Sequence, residues 1–226
     1  MADILEKLRA ADFNTVTTAA LEGHPFISDA EAGNLSSARL MAFVKEQHSV
    51  IRADLLSMRH LAKRCRDSGK KAGEALFTKL AKGEELAMTK LQDFATHLGV
   101  TPKKLATYNC QMEAQAYPSY LARCAHYGSP AAVAVACAVN FPCWGAQCRR
   151  LHTALLTING SHGPCVAEDV AFLDFFATPL DGLDEMAAAC LQEDDEVRVD
   201  DVTTAVRLLQ ACEVMFWDSV YYKHRG

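Results

Sequence analysis

The chain has 226 residues, half of them hydrophobic, which is enough to bury a substantial core in one domain or two. Its formal net charge of −5 argues against a dedicated nucleic-acid surface. A short basic cluster between Lys63 and Lys71 is expected to be a solvated turn between two helices. No nucleic-acid partner is therefore predicted.

The N-terminal sequence MADILEKLRA contains acidic residues where an export signal would be basic and then apolar. The nine cysteines are odd in number, scattered and without CxxC spacing, which predicts reduced thiols in a cytoplasmic protein and no zinc site. The apolar stretch from Pro130 to Ala146 contains Asn140 and Pro142 and is short for a membrane span. It is predicted to be a buried helix, so no membrane association is expected.

Periodic apolar residues and capping signals predict a series of helices with almost no strand. Ser36 or Ser37 can cap a long amphipathic helix that ends near Gly69, and a second long helix is predicted over residues 71–97. The other predicted helices begin at Thr101-Pro102, end near Gly128, follow Ser129-Pro130, and cover about 168–177, 183–191 and 200–222. The clearest loop is residues 158–165. This pattern predicts a single all-α domain over residues 1–226.

A proline and a cysteine, Pro142 and Cys143, lie together inside the long apolar helix that follows Ser129. Proline removes a backbone hydrogen bond from a helix, so the backbone beside the thiol is expected to be irregular. This is a plausible position for a nucleophile. The alternative is a buried cysteine that only packs.

Other polar residues fall on apolar helix faces. Glu213 lies on the apolar stripe of the last helix, and Gln47 lies on that of the first long helix. A buried carboxylate indicates either a structural network or a functional pocket. Tyr117 and Tyr120, on one helix, are either core aromatics or further pocket residues. In a helical bundle, Cys143, Glu213, Gln47 and Tyr120 can converge on one cavity.

Several of these residues stand in segments that resemble the TenA family of thiaminase II proteins, in the TENA/THI-4/PQQC superfamily. The segments are Gly23-His24-Pro25-Phe26, Gly33-Asn34-Leu35, Tyr120, Pro142-Cys143-Trp144 and Glu213-Val214-Met215-Phe216-Trp217. The resemblance covers residues 20–222 and implies a haem-oxygenase-like helical bundle. It also implies an enzyme without a cofactor that acts on thiamin or on 4-amino-5-aminomethyl-2-methylpyrimidine.

The resemblance implies roles for individual residues. The family's nucleophilic cysteine falls on Cys143, its catalytic glutamate on Glu213 and an active-site tyrosine on Tyr120. The family's usual aspartate falls on Gln47, and a position that is usually tyrosine falls on Val50. A glutamine carries no charge with which to hold a cation-like pyrimidine, so the pocket is expected to be altered.

Two functions follow. In the first, the Cys143 thiolate adds to the pyrimidine and expels the group on its exocyclic methylene, while Glu213 holds the ring and moves the proton. In the second, Gln47 and Val50 mark a non-catalytic binder of a small heterocycle, or a regulatory or assembly module. A homo-oligomer, dimer or tetramer, is expected in either case.

A metal-dependent oxidase is a third possibility, but the acidic and histidine residues of the two long helices lack the spacing of a diiron site, so no metal is predicted. Haem binding is disfavoured because His24 is expected to pack in a loop.

Overall fold

The computed structural model describes residues 2–158 and 160–224, and in these ranges it contains α-helices and no strand. The eleven helices are α1 (Ala2–Ala10), α2 (Asp12–Glu22), α3 (Pro25–Glu31), α4 (Ser37–Asp67), α5 (Lys71–His97), α6 (Pro102–Ala106), α7 (Ala116–Tyr127), α8 (Pro130–Thr157), α9 (Ala171–Ala177), α10 (Leu183–Gln192) and α11 (Val199–Tyr222). The predicted all-α class is confirmed.

Three of the predicted helix starts have side-chain caps. Ser36 accepts a hydrogen bond from the backbone N–H of Arg39, Thr101 caps α6, and Ser129 caps α8 by accepting from Ala131 and Ala132. These hydroxyls satisfy N–H groups that have no partner inside the helix. Local capping chemistry therefore marks where α4, α6 and α8 begin.

The structure adds three N-terminal helices, α1 to α3, to those predicted. His24 caps α3 by accepting from the N–H of Phe26, and its other ring nitrogen lies 3.3 Å from Asp218 Oδ1. The helix predicted from residue 168 begins later, at Ala171, because residues 167–170 form a turn instead. The predicted loop at 158–165 includes Asn159, which lies outside the described residues.

The core is organised around α8. The helices α4 and α5 are joined by a short turn, and α8 packs against α11, α9, α10 and α3. By length and composition α8 could cross a membrane, but 72% of its most apolar stretch is buried inside the protein, as in the central helix of a globular bundle. Burial among the other helices accounts for its apolar character.

The helix α8 continues through Pro142, and the first helix uses the resulting gap. Because proline has no N–H, the carbonyl of Ala138 lacks its helical partner. The guanidinium of Arg9 in α1 donates to this carbonyl at 2.8 Å and also binds both carboxylate oxygens of Asp184 in α10 at 2.7 Å. Pro142 thus creates an attachment point for α1.

The basic cluster between α4 and α5 is occupied by intramolecular contacts. Lys63 pairs with Asp67 and Arg66 with Glu74, while Lys70 pairs with the largely buried Asp194. These pairs match the predicted turn between two helices.

Candidate functional site

A buried cavity of about 60 Å³ lies among the central helices α4, α5, α7, α8, α9 and α11. This space is well above the ~10–15 Å³ needed for one water molecule. Its lining is formed by Gln47, Val50, Ile51, Asp54, Glu84, Tyr117, Asn140, Phe141, Trp144, Phe176, Glu213 and Phe216.

One face of α4 forms a complete side of the cavity. Gln47, Val50, Ile51 and Asp54 are spaced three, one and three residues apart, which places them on the same side of a helix. An amide stands near one end of this row and a carboxyl two turns further along. The row therefore separates two polar positions by an apolar patch.

Aromatic rings form the opposite side. Phe141 and Trp144 come from α8, Phe176 from α9 and Phe216 from α11, and the Trp144 ring packs edge-on against both Phe176 and Phe216. Gly145 allows α9 to come this close, because a Cβ there would lie 2.8 Å from the Phe176 carbonyl oxygen. The wall offers flat apolar surface to a planar ligand.

Several polar atoms of the lining have no hydrogen-bond partner. The described residues contain seven buried side-chain nitrogen or oxygen atoms without a hydrogen-bond partner, and four of them belong to the cavity lining. These four are Asp54 Oδ1, Asn140 Oδ1 and both carboxyl oxygens of Glu213. The residues concerned are at most 6% exposed. Buried polar groups are rarely left without partners, so their concentration at one cavity indicates a place where a ligand or water supplies them.

Burial dominates the electrostatics of Glu213. It raises the pKa of this carboxyl to about 8, although the neighbouring Trp217 indole and Asn140 amide favour the ionised form. Neither neighbour completes a hydrogen bond to Glu213, and the Trp217 N–H is itself unpartnered. The carboxyl of Glu213 is therefore mostly protonated at neutral pH, with one donor and one free acceptor.

The cavity contains two further carboxyl groups, on Asp54 and Glu84. Burial raises the pKa of Glu84 to about 8 and that of Asp54 well above its usual range, and the charge of Glu84 adds to the effect on Asp54. The described lining includes no lysine, arginine or histidine. Negative charge in this cavity consequently has no positive partner within the lining.

A larger cleft adjoins the cavity. It has a volume of about 980 Å³, and its lining shares Glu84, Phe141, Trp144 and Phe176 with that of the inner cavity. These four residues therefore stand between the cavity and the surface. The cleft is therefore the neighbouring space from which the inner cavity is separated by few side chains.

The structure brings together three of the five predicted site residues. Gln47, Tyr117 and Glu213 line the cavity. Tyr120, three positions after Tyr117 in α7, is absent from the lining, and the Arg123 guanidinium lies 5.9 Å from its ring.

Cys143 also lies outside the lining. Its half-buried Sγ is 3.5 Å from the hydroxyl of Thr18 in α2, and burial raises the pKa of its thiol. The charge of Glu213 reinforces this rise in pKa.

The residue of α8 that faces Glu213 is Asn140, one turn before Cys143. Tyr117 and Asn140 are separated by the same number of positions as Tyr120 and Cys143. A shift of about one helical turn in both helices therefore exchanges one pair for the other. Tyr117, Tyr120 and Cys143 are all predicted site residues; the cavity contains Tyr117, and Asn140 lines it in place of Cys143.

Asp54 and Glu84 belong to the acidic residues of the two long helices, for which the sequence suggested no role except the disfavoured one of metal ligands. Asp54 stands seven positions after Gln47, a spacing that keeps both on one helix face, so this relation could have identified it. In residues 2–158 and 160–224, no group of three or more histidine, cysteine, aspartate or glutamate side chains is arranged to hold a metal ion.

Comparison with known proteins gives a family match and several structural neighbours. A model of the TENA/THI-4/PQQC family matches residues 13–223. No curated protein sequence matches the chain.

The structural neighbours cover almost the whole chain at low identity. A TenA homologue from Pseudomonas syringae pv. tomato has a TM-score of 0.77 and 11% identity, covering 96% of this chain and 92% of its own. A TenA homologue from P. horikoshii has a TM-score of 0.73 and 13% identity, with 97% and 98% covered. A domain with a haem-oxygenase-like fold from Shewanella denitrificans has a TM-score of 0.74 and 13% identity, with 97% and 92% covered. The helical bundle is therefore of the haem-oxygenase-like type.

Proposed function

Since the chain belongs to the TENA/THI-4/PQQC family, which includes hydrolases, we propose that its cavity binds a 4-aminopyrimidine. The ring lies against the aromatic wall of Phe141, Trp144 and Phe216, and its amino edge faces Glu213. The aminopyrimidine class follows from the family, and the orientation follows from the chemistry of the lining.

The observation that carries this proposal is the buried carboxyl of Glu213, which has no partner for either oxygen. A protonated carboxyl offers one donor and one acceptor. A 4-aminopyrimidine presents the complementary pair, since its ring nitrogen accepts and its exocyclic amine donates. Two hydrogen bonds then satisfy both groups without burying a net charge.

The rest of the polar lining supports the same ligand. The amide of Gln47 can donate to one atom and accept from another, as the second polar edge of a pyrimidine requires. The hydroxyl of Tyr117 stands among the carboxyls of Asp54, Glu84 and Glu213, whose charges contribute to raising the pKa of this phenol beyond the effect of burial. Tyr117 is therefore a neutral donor at this site.

Two replacements of Glu213 test whether its hydrogen-bonding groups bind the ligand. A leucine removes both hydrogen bonds, so Glu213→Leu is expected to weaken binding of 4-amino-5-aminomethyl-2-methylpyrimidine by roughly 30-fold, from about 1 kcal/mol per bond. A glutamine keeps one donor and one acceptor, so Glu213→Gln is expected to stay within about fivefold of the wild type. Calorimetric titration at pH 7 measures both affinities.

The matched control is Glu85→Gln, because Glu85 is exposed and pairs with Arg59 at the surface. It should bind as the wild type does. Equal affinity for Glu213→Leu and wild type would place the ligand elsewhere and contradict the proposal.

The second candidate is hydrolysis of the bound pyrimidine with Cys143 as nucleophile. The observation in its favour is the position of Cys143 in α8, three residues after Asn140, which lines the cavity. For Cys143 to attack the pyrimidine, its Sγ must move away from Thr18 and enter the cavity beside Asn140. Another group must also accept the thiol proton. Non-catalytic binding needs no such movement, and for this reason binding is the first proposal.

The Cys143→Ser variant decides between the two candidates. If Cys143 is the nucleophile, ammonia release from the aminomethyl compound should fall at least about 1000-fold, with affinity unchanged. If the site only binds, wild type and variant should both show affinity without release of ammonia. Turnover by Cys143→Ser at the wild-type rate would show that another group is the nucleophile. The control is Cys148→Ser, an equally conservative change at a buried thiol.

A further inference from the structure

The cavity contains one acidic pair that the proposed hydrogen bonds to the ring do not use. Asp54 in α4 and Glu84 in α5 both line the cavity and are only 6% and 9% exposed. Asp54 Oδ1 has no hydrogen-bond partner. The two carboxyl groups act on each other, since the charge of Glu84 contributes to the raised pKa of Asp54.

Two buried carboxyls without a cation are expensive for the folded protein, because desolvation and mutual repulsion both oppose their ionisation. No basic side chain compensates the two carboxyl groups, since the described lining has no lysine, arginine or histidine. One proton shared by the pair reduces the repulsion but leaves acceptor oxygens free. A ligand with several N–H donors and a positive charge satisfies both requirements.

The position of the pair indicates which part of the ligand it meets. Asp54 lies two helical turns beyond Gln47, about 10 Å along the axis of α4. Glu84 lines both the inner cavity and the outer cleft, so it stands where the two spaces join. A ring held by Glu213 and Gln47 therefore leaves Asp54 and Glu84, in the same lining, available to a substituent of that ring.

We propose that Asp54 and Glu84 form a binding site for the ammonium group of an aminomethyl substituent, and so determine the specificity of the cavity. The inference rests on the proposed function, in which the ring of the same ligand occupies the inner cavity. Such a site would favour an ammonium substituent over a hydroxyl or a thiazolium ring. An ammonium donates three hydrogen bonds and carries charge, whereas a hydroxyl donates one and a thiazolium ring offers neither N–H nor O–H donors.

The experiment compares two ligands that differ only in this substituent, 4-amino-5-aminomethyl-2-methylpyrimidine and 4-amino-5-hydroxymethyl-2-methylpyrimidine. Calorimetric titrations at pH 7 use the wild type, Asp54→Asn, Glu84→Gln and the control Glu85→Gln. The wild type and the control should prefer the amine by at least about tenfold. Each cavity variant should lose this preference while its affinity for the alcohol stays within about threefold.

The outcomes distinguish the inference from the proposed function. If the wild type binds both compounds equally, or if Asp54→Asn and Glu84→Gln keep the preference for the amine, the pair does not recognise the ammonium and only this inference fails. If the wild type binds neither compound, the proposed function fails as well. The wild-type preference is measured without any variant, so the test does not depend on either variant folding.

Discussion

Replacing Glu46 by alanine is expected to lower the free energy of unfolding by about 3–5 kcal/mol. Glu46 in α4 is fully buried, and its carboxylate accepts from the Tyr108 hydroxyl, the Gln111 backbone N–H and the Gln115 side-chain amide at 2.7–2.8 Å. The alanine removes the acceptor that these three donors share, and of the three only the Tyr108 hydroxyl has another neighbour, His224 Nε2 at 3.3 Å. It also releases the segment that leads into α7, which carries Tyr117.

Chemical denaturation of the wild type, Glu46→Ala and Glu85→Ala measures this effect. Glu85 lies on the neighbouring helix and forms one exposed ion pair with Arg59, so its removal should cost less than about 1 kcal/mol. Similar losses for the two alanine variants would show that the Glu46 network contributes no more than a surface pair.

The stability of the protein should fall as pH rises from about 5 to 8, and Glu213→Gln should reduce this fall. Burial raises the pKa of Glu213 from 4.5 to about 8. Between these values the unfolded chain releases a proton that the folded protein keeps, so the stabilisation present below pH 4.5 is lost through pH 8. The loss from this carboxyl has an upper limit of about 5 kcal/mol, at ~1.4 kcal/mol per unit of pKa.

Urea denaturation of the wild type and Glu213→Gln at pH 5, 6, 7 and 8 tests this expectation. The variant should gain stability relative to the wild type as pH increases, because it has no proton to lose. The exposed replacement Glu85→Gln should follow the wild type at every pH. Parallel curves for Glu213→Gln and wild type would mean that Glu213 is ionised in the folded protein at neutral pH.

The long helices could be predicted from sequence because their signals are local. Ser36 and Ser129 are followed by extended apolar periodicity, and each hydroxyl caps the helix that it precedes. The start of α9 lies three residues later than predicted, at Ala171 and not at residue 168. In the structure Asp169 instead accepts from the N–H of Val166 and lies 3.1 Å from His97 Nδ1, so contacts outside the helix decide its start.

The cavity was only partly predictable, since its lining depends on which faces of different helices meet. Glu213 and Gln47 stood out because each interrupts an apolar stripe. The choice between Cys143 and Asn140 could not be made in this way, because α8 is apolar on most sides and its pattern does not indicate which face meets α11. Packing of α8 against α11 and α2 places Asn140 inside and Cys143 against Thr18.

The acidic pair shows a related limit. Asp54 and Glu84 are ordinary charged residues in long amphipathic helices, and only the close packing of α4 on α5 turns them inward together. Their spacing within each helix excludes a metal motif but says nothing of a neighbour on another helix. A pair of this kind becomes visible only when both helices are seen.

The missing N–H of Pro142 connects the N-terminal helix to the walls of the cavity. Arg9 supplies the hydrogen bond that the Ala138 carbonyl would otherwise receive within α8, and it does so while bound to Asp184. The same turn of α8 carries Phe141 and Trp144, which separate the inner cavity from the outer cleft. Arg9 thus holds α1, α8 and α10 together beside the residues that the cavity and the cleft share, so the N-terminal helix stabilises the backbone of α8 where proline interrupts its hydrogen bonding.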